Sequence, residues 1–134
     1  MNHIEHLGIA VRSLKDSIPI YEKLLNTPCY KQETVESESV ITAFFKTSFN
    51  KIELLQATSE TSAIAKFIEK RGEGMHHVAY AVDDIHVEMQ RLRAEGFHLL
   101  NEQPKRGADN KLICFVHPKD SSGVLIELCQ EISE

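Results

Sequence analysis

The chain repeats itself at half its length. His6-Leu7-Gly8-Ile9-Ala10-Val11-Arg12-Ser13-Leu14 returns as His77-Val78-Ala79-Tyr80-Ala81-Val82-Asp83-Asp84-Ile85, 71 residues further on in a chain of 134. Each copy places a histidine at the head of an apolar strand. Each is followed, 47 and 50 residues later, by a carboxylate inside another apolar run: Glu53 in Lys51-Ile52-Glu53-Leu54-Leu55, and Glu127 in Leu125-Ile126-Glu127-Leu128. A repeat of this kind constrains the fold more than any local propensity, because each copy is a structural unit that must find the same partners.

The length suits one domain, read here as residues 1–134 with half-modules of about 1–71 and 72–134. Apolar residues make up 42% of the chain, enough for a core, and the net charge of −5 argues against nucleic acid as a partner. No apolar run approaches the roughly 20 residues that span a bilayer. Three cysteines, Cys29, Cys114 and Cys129, show no paired spacing. That odd count and the lack of a signal peptide point to a reducing, cytoplasmic setting.

The local pattern is strand, helix, then three strands, twice over. His3 to Val11 reads as a strand, and Ser13 caps a helix to about Asn26 that contains Pro19. Tyr30 to Val35 is a short strand, and Val40 to Lys46 with Lys51 to Gln56 form a hairpin. Ser59 or Thr61 caps a helix over about 62–70, and Gly72-Glu73-Gly74 separates the halves. Met75 to Val82 then reads as a strand, Asp83 or Asp84 caps a helix to about Glu95, and Gly96 stops it. Phe97 to Leu100 is expected as a short strand, with Leu112 to His117 and Val124 to Cys129 as the closing hairpin.

Side chains alternate across a strand, so His6 shares its face with Gly8 and Ala10, and His77 with Ala79 and Ala81. A large polar residue beside two small ones suits a ligand facing a cavity. Glu53 and Glu127 stand among Leu and Ile, where a lone carboxylate costs several kcal/mol to bury. A divalent cation is the strongest partner for it. His6, Glu53, His77 and Glu127 are therefore the candidate ligands of one metal, and imidazole with carboxylate suits Zn²⁺, Mn²⁺, Co²⁺, Ni²⁺ or Fe²⁺. The alternative is a hydrogen-bonded core histidine and a solvent-facing glutamate in each half. His76 competes with His77, and His77 is preferred because it aligns with His6. His3, His86, His98 and His117 lack the repeat relation.

With these residues in view, the chain resembles the vicinal oxygen chelate superfamily, which includes glyoxalase I, and within it the methylmalonyl-CoA epimerases. The resemblance rests on Ile4-Glu5-His6-Leu7-Gly8-Ile9-Ala10-Val11, Lys51-Ile52-Glu53-Leu54-Leu55, Gly72-Glu73-Gly74-Met75-His76-His77-Val78-Ala79-Tyr80, His117-Pro118-Lys119 and Gly123-Val124-Leu125-Ile126-Glu127-Leu128. It implies an α+β fold of two βαβββ modules in tandem, whose curved mixed sheets enclose a metal held by His6, Glu53, His77 and Glu127. It also implies a homodimer and an acyl-CoA substrate. Some members carry a second catalytic glutamate where Thr42 aligns here, and a threonine is no carboxylate base.

The implied chemistry removes the C2 proton of a malonyl-type thioester and returns it on the other face, through an enolate. A Co²⁺, Mn²⁺, Zn²⁺ or Ni²⁺ ion neutralises the developing charge, and Glu127 takes the proton by family analogy. Lys105, Arg106, Lys111 and Lys119 face either the coenzyme A phosphates or plain solvent. The rival readings are a glyoxalase I-like lyase or isomerase acting on a glutathione hemithioacetal, a metal-dependent dioxygenase, and a non-catalytic small-molecule binding module of the same fold.

Overall fold

Alternation decides the first half. The computed structural model describes residues 1–133, and residues 6–76 pack as one unit, while 1–5 with 77 onward form another. The first unit takes its strands from β1 (Ile4–Ala10), β2 (Lys31–Val35), β3 (Val40–Lys46) and β4 (Lys51–Ala57), with helices α1 (Leu14–Leu25) and α2 (Ala63–Arg71). The strand order is β2-β3-β4-β1. β3 runs antiparallel to both neighbours and β1 parallel to β4.

One face of this sheet is hydrocarbon. Val11, Leu14, Ala43, Phe45 and Leu54 are buried together, with Ile9, Ile18, Tyr21 and Leu25 packed against them. α1 therefore covers this face, and a fully buried side chain such as Phe45 or Leu54 contributes roughly 1.5–3 kcal/mol. The helix starts where the sequence predicts: Ser13 accepts the Asp16 N–H at 3.2 Å. It runs through Pro19 and ends at Asn26, which adopts the left-handed conformation with φ 52°. α2 corrects the sequence expectation. Its cap is Ser62, which accepts from Ile64 and Ala65 at 3.1 and 3.2 Å. Ser59 and Thr61 instead hydrogen-bond each other at 2.9 Å.

The second unit repeats the plan with β5 (Gly74–Ala81), α3 (Ile85–Ala94), β6 (Lys105–Arg106), β7 (Lys111–Val116) and β8 (Ile126–Glu131). Its order is β5-β8-β7-β6, with β5 parallel to β8 and the other pairs antiparallel. Val82, Ile85, Met89, Leu92, Cys114, Val116 and Leu128 form the core between α3 and the sheet. Asp84 caps α3 through the His86 and Val87 N–H groups, and Gly96 follows its end at φ 94°.

The strand–helix–three-strand pattern is thus present twice, with one correction. Residues 97–100 form no strand, although they run beside β7 through an isolated bridge, Leu99 to Val116. The fourth strand of this half is the two-residue β6 instead. Among the described residues, no helix is long and apolar enough to cross a membrane.

Candidate metal centre and active site

The ladder register shows what the other face of each sheet carries. In the first unit Glu53 stands beside Gly8 of β1 and opposite Phe44 of β3. Residues opposite one another share a face, so His6, Gly8, Ala10, Glu53, Phe44 and Thr42 lie on the side away from α1. His6 and Glu53 are each 4% exposed. The His6 Nδ1 lies 3.2 Å from a Glu53 carboxylate oxygen.

The second unit builds the same arrangement from different strands. Glu127 of β8 stands beside Ala79 of β5 and opposite Phe115 of β7. His77 and Glu127 are each 5% exposed, and His77 Nε2 lies 3.4 Å from a Glu127 oxygen. The His77 ring meets Phe115 edge-on, at 5.9 Å and 88°. The structure therefore brings the four candidate residues together as two pairs, one in each unit. A carboxylate buried against an imidazole in a hydrocarbon wall is a donor set that suits a divalent cation, and the small residues beside each pair leave it room.

Two further pairs stand outside the His–Glu pattern, although the same offsets relate them. Phe44 and Phe115 are 71 residues apart, as His6 and His77 are, and each wall residue faces its glutamate across the ladder. Gln56 and Gln130 each follow a glutamate by three positions. Gln56 accepts the Leu14 N–H and Gln130 the Ile85 N–H, both at 2.7 Å. The strand that carries each glutamate is thereby tied to the first residue of the helix behind it.

The remaining histidines do other work. His76 sits T-shaped against Phe67 at 5.0 Å, and burial lowers its pKa from 6.5 to about 4. The His98 N–H and Nδ1 both meet the Asp120 carboxylate, at 2.7 and 2.8 Å. These contacts hold the Asp120 carboxyl below its ordinary value, with the backbone bond first among the causes. His117 Nδ1 accepts the Lys119 N–H at 3.1 Å, so the His-Pro-Lys run closes its own turn. His3 and His86 engage through their backbones, His3 O accepting from Ala81 and His86 N–H donating to Asp84. In the Gly-Glu-Gly segment, Glu73 accepts the Arg12 N–H at 2.7 Å and lies 3.8 Å from its guanidinium.

The basic candidates divide. Arg106 donates to Asn110 at 3.2 Å, and Lys111 lies 4.0 Å from Asp109. Lys105 pairs across the ladder with Ile113, and Lys119 lies in the turn after β7. Thr42 is 1% exposed, on the same face as Glu53 and opposite Leu55. Its hydroxyl has no hydrogen-bond partner among the described residues.

Residues 5–115 match the model of the glyoxalase/bleomycin resistance protein/dioxygenase superfamily. An uncharacterized protein of Bacillus subtilis, YqjC, is 38% identical over 97% of this chain and 93% of its own. The ethylmalonyl-CoA/methylmalonyl-CoA epimerase of Cereibacter sphaeroides is 36% identical over 97% of this chain and 98% of its own. A solved structure of a variant of the Streptomyces coelicolor methylmalonyl-CoA epimerase, in complex with 2-nitronate-propionyl-CoA, superposes with a TM-score of 0.93. It is 32% identical and covers 99% of each chain. With the repeated modules and the paired His and Glu residues, these likenesses show that the chain belongs to the glyoxalase/bleomycin resistance protein/dioxygenase superfamily and, within it, to the methylmalonyl-CoA epimerase family.

Proposed function

We propose that this protein is a metal-dependent epimerase that interconverts (R)- and (S)-methylmalonyl-CoA through an enolate. The observation that carries the reading is the buried His–Glu pair repeated in each half of the chain. Neither pair has an evident purpose in packing, since a hydrocarbon pair would fill the same space without the cost of a buried carboxylate. The epimerase relatives supply the substrate class, because one of them has been solved with an acyl-CoA analogue.

In this reading the two half-modules act as one domain, and His6, Glu53, His77 and Glu127 together hold one divalent ion, Co²⁺, Mn²⁺, Zn²⁺ or Ni²⁺. When bound, that ion supplies positive charge where the thioester and carboxylate oxygens of the substrate gather negative charge. The chain's own residues do the rest. Glu127 takes the C2 proton as general base, from a position fixed by the β5–β8–β7 ladder. Phe44 and Phe115 wall the glutamates with hydrocarbon, which strengthens electrostatic interactions there by excluding water. Gly8, Ala10, Ala79 and Ala81 leave volume for the acyl group. The protein works in the cytoplasm as a homodimer.

The test is a pair of turnover assays on protein purified without chelator, one with methylmalonyl-CoA and one with the glutathione hemithioacetal of methylglyoxal. Inversion at C2 of the first, with no product from the second, supports the epimerase. The reverse result makes the protein a glyoxalase I-like enzyme. Inactivity in both, with no metal bound and none taken up, leaves a binding module.

A further inference from the structure

Strand pairing holds Phe115 from one side only. Towards β8 it stands opposite Glu127 in the ladder. On the outer side of β7, β6 pairs only with Leu112 and Ile113. A loop flanks Phe115 there instead. The Leu100 N–H donates to the Phe115 carbonyl at 2.8 Å, and the Asn101 side-chain oxygen accepts the Phe115 N–H at 3.0 Å. The first half meets the same need with a strand. Phe44 pairs with Lys31 of β2, and the Tyr30 N–H donates to the Phe44 carbonyl at 3.1 Å. In the second half one side chain thus stands in for a rung of sheet.

Asn101 is itself held in place. Its backbone carbonyl and that of Glu102 accept from the Arg93 guanidinium at 3.2 and 2.8 Å. Its backbone N–H donates to the sulfur of the buried Cys114. Arg93 stands in the last turn of α3. Arg93 therefore joins the end of the helix to the loop, and Asn101 joins the loop to β7.

This connection ends at the candidate site. The Phe115 ring meets the His77 ring at 5.9 Å and 88°, and His77 Nε2 lies 3.4 Å from a Glu127 oxygen. We propose that Asn101 is a positioning residue: it fixes Phe115, and through that ring the His77 imidazole and the Glu127 carboxylate, while Arg93 fixes Asn101. The effect on turnover rests on the epimerase reading. All five residues belong to one packing unit, so the effect needs no other part of the chain. Removing the Asn101 oxygen frees the outer edge of β7 at residue 115. The ring then moves off the imidazole, water reaches the pair, and electrostatic interactions at Glu127 weaken.

The experiment compares the wild type with Asn101→Ala, Asn101→Asp and Arg93→Ala. Turnover of methylmalonyl-CoA is assayed with added Co²⁺. The His77 ring-proton resonances are followed by NMR in protein dialysed against a chelator, so that no bound ion moves them. Phe115→Leu supplies their positions without the phenyl ring. Asn101→Ala is expected to lower kcat about tenfold, short of the roughly 10²-fold that a 1 Å misplacement can cost, with KM changed less than about twofold. Its His77 resonances should move towards those of Phe115→Leu. Asn101→Asp keeps an oxygen at the same place and should restore both readouts. Arg93→Ala should move the same resonances in the same direction, by less. Wild-type kcat and wild-type His77 resonances in Asn101→Ala overturn the proposal even where its urea midpoint falls, since that marks a purely structural bond. So does a rise in KM alone, or an Asn101→Asp protein that restores neither readout. Should Asn101→Ala fail to fold, Arg93→Ala decides, and unmoved His77 resonances in it overturn the proposal. A wild type that does not epimerise the thioester sinks the epimerase reading, while the resonances still decide whether Asn101 places the ring.

Discussion

The carboxamide oxygen of Gln130 accepts the first backbone N–H of α3, that of Ile85, at 2.7 Å. With Asp84 accepting from His86 and Val87, the helix start has a partner for each of its first three donors. Gln56 does the same for Leu14 in the other half. Gln130 lies on the strand of Glu127, so the bond couples helix position to glutamate position.

Gln130→Ala therefore leaves a part-buried N–H without its partner. The expected loss is about 1 kcal/mol, and Gln56→Ala should behave alike. Urea denaturation checks this: the midpoint should fall in each variant with an unchanged slope. A midpoint equal to that of the wild type would mean that water replaces the bond at no cost.

Glu127→Gln keeps the size and one oxygen donor of Glu127 but removes its ability to take a proton. Metal content should persist, with turnover down by roughly 10²-fold or more. His6→Ala should differ, losing metal affinity first and recovering part of its activity in excess metal. Titration of each variant with Co²⁺, followed by assay at saturation, separates occupancy from chemistry. Near-normal epimerisation by Glu127→Gln would reduce that residue to a ligand.

Chelation offers a readout independent of turnover. Protein dialysed against a chelator should melt at a lower temperature and regain its melting point on addition of Co²⁺, Mn²⁺, Zn²⁺ or Ni²⁺. A ligand that binds only the folded state adds about 2.7 kcal/mol at a hundred times its dissociation constant. His77→Ala should show little of this gain. Equal gains in His77→Ala and the wild type would place the ion elsewhere.

His76 predicts a pH dependence. Burial lowers its folded pKa to about 4 from 6.5, so the unfolded chain binds a proton that the folded one refuses. Its contribution is full above pH 6.5 and is lost as the pH falls through about 4. His76→Phe, which suits the apolar contact with Phe67, should flatten the stability profile between those two values. Chemical denaturation at a series of pH values decides the matter, and an unchanged slope would show that His76 titrates normally.

The repeat was legible because it uses costly residues. A histidine and a glutamate inside apolar runs have to be explained, and two sets in register explain each other. The helix starts at Ser13 and Asp84 were legible for the same local reason, since short polar side chains there accept N–H groups from the first turn. Residues 97–100 were not. Phe97-His98-Leu99-Leu100 has the composition of a strand and does run beside β7, where Leu100 donates to Phe115 O at 2.8 Å. The side chain of Asn101 then accepts the Phe115 N–H at 3.0 Å, the bond a continuing ladder would need. The pairing stops there and resumes at Lys105–Arg106, a pair with no apolar signal. The wall residues Phe44 and Phe115 carry no signal beyond their apolar character, because which glutamate each one faces depends on ladder register.

A duplicated chain carries its own control. The Gln56/Gln130 and Phe44/Phe115 positions hold the same residue in both copies and do the same mechanical work. At Thr42 and Ile113 the copies have parted. Both copies build the same ladder around that place, so the fold itself demands neither residue there.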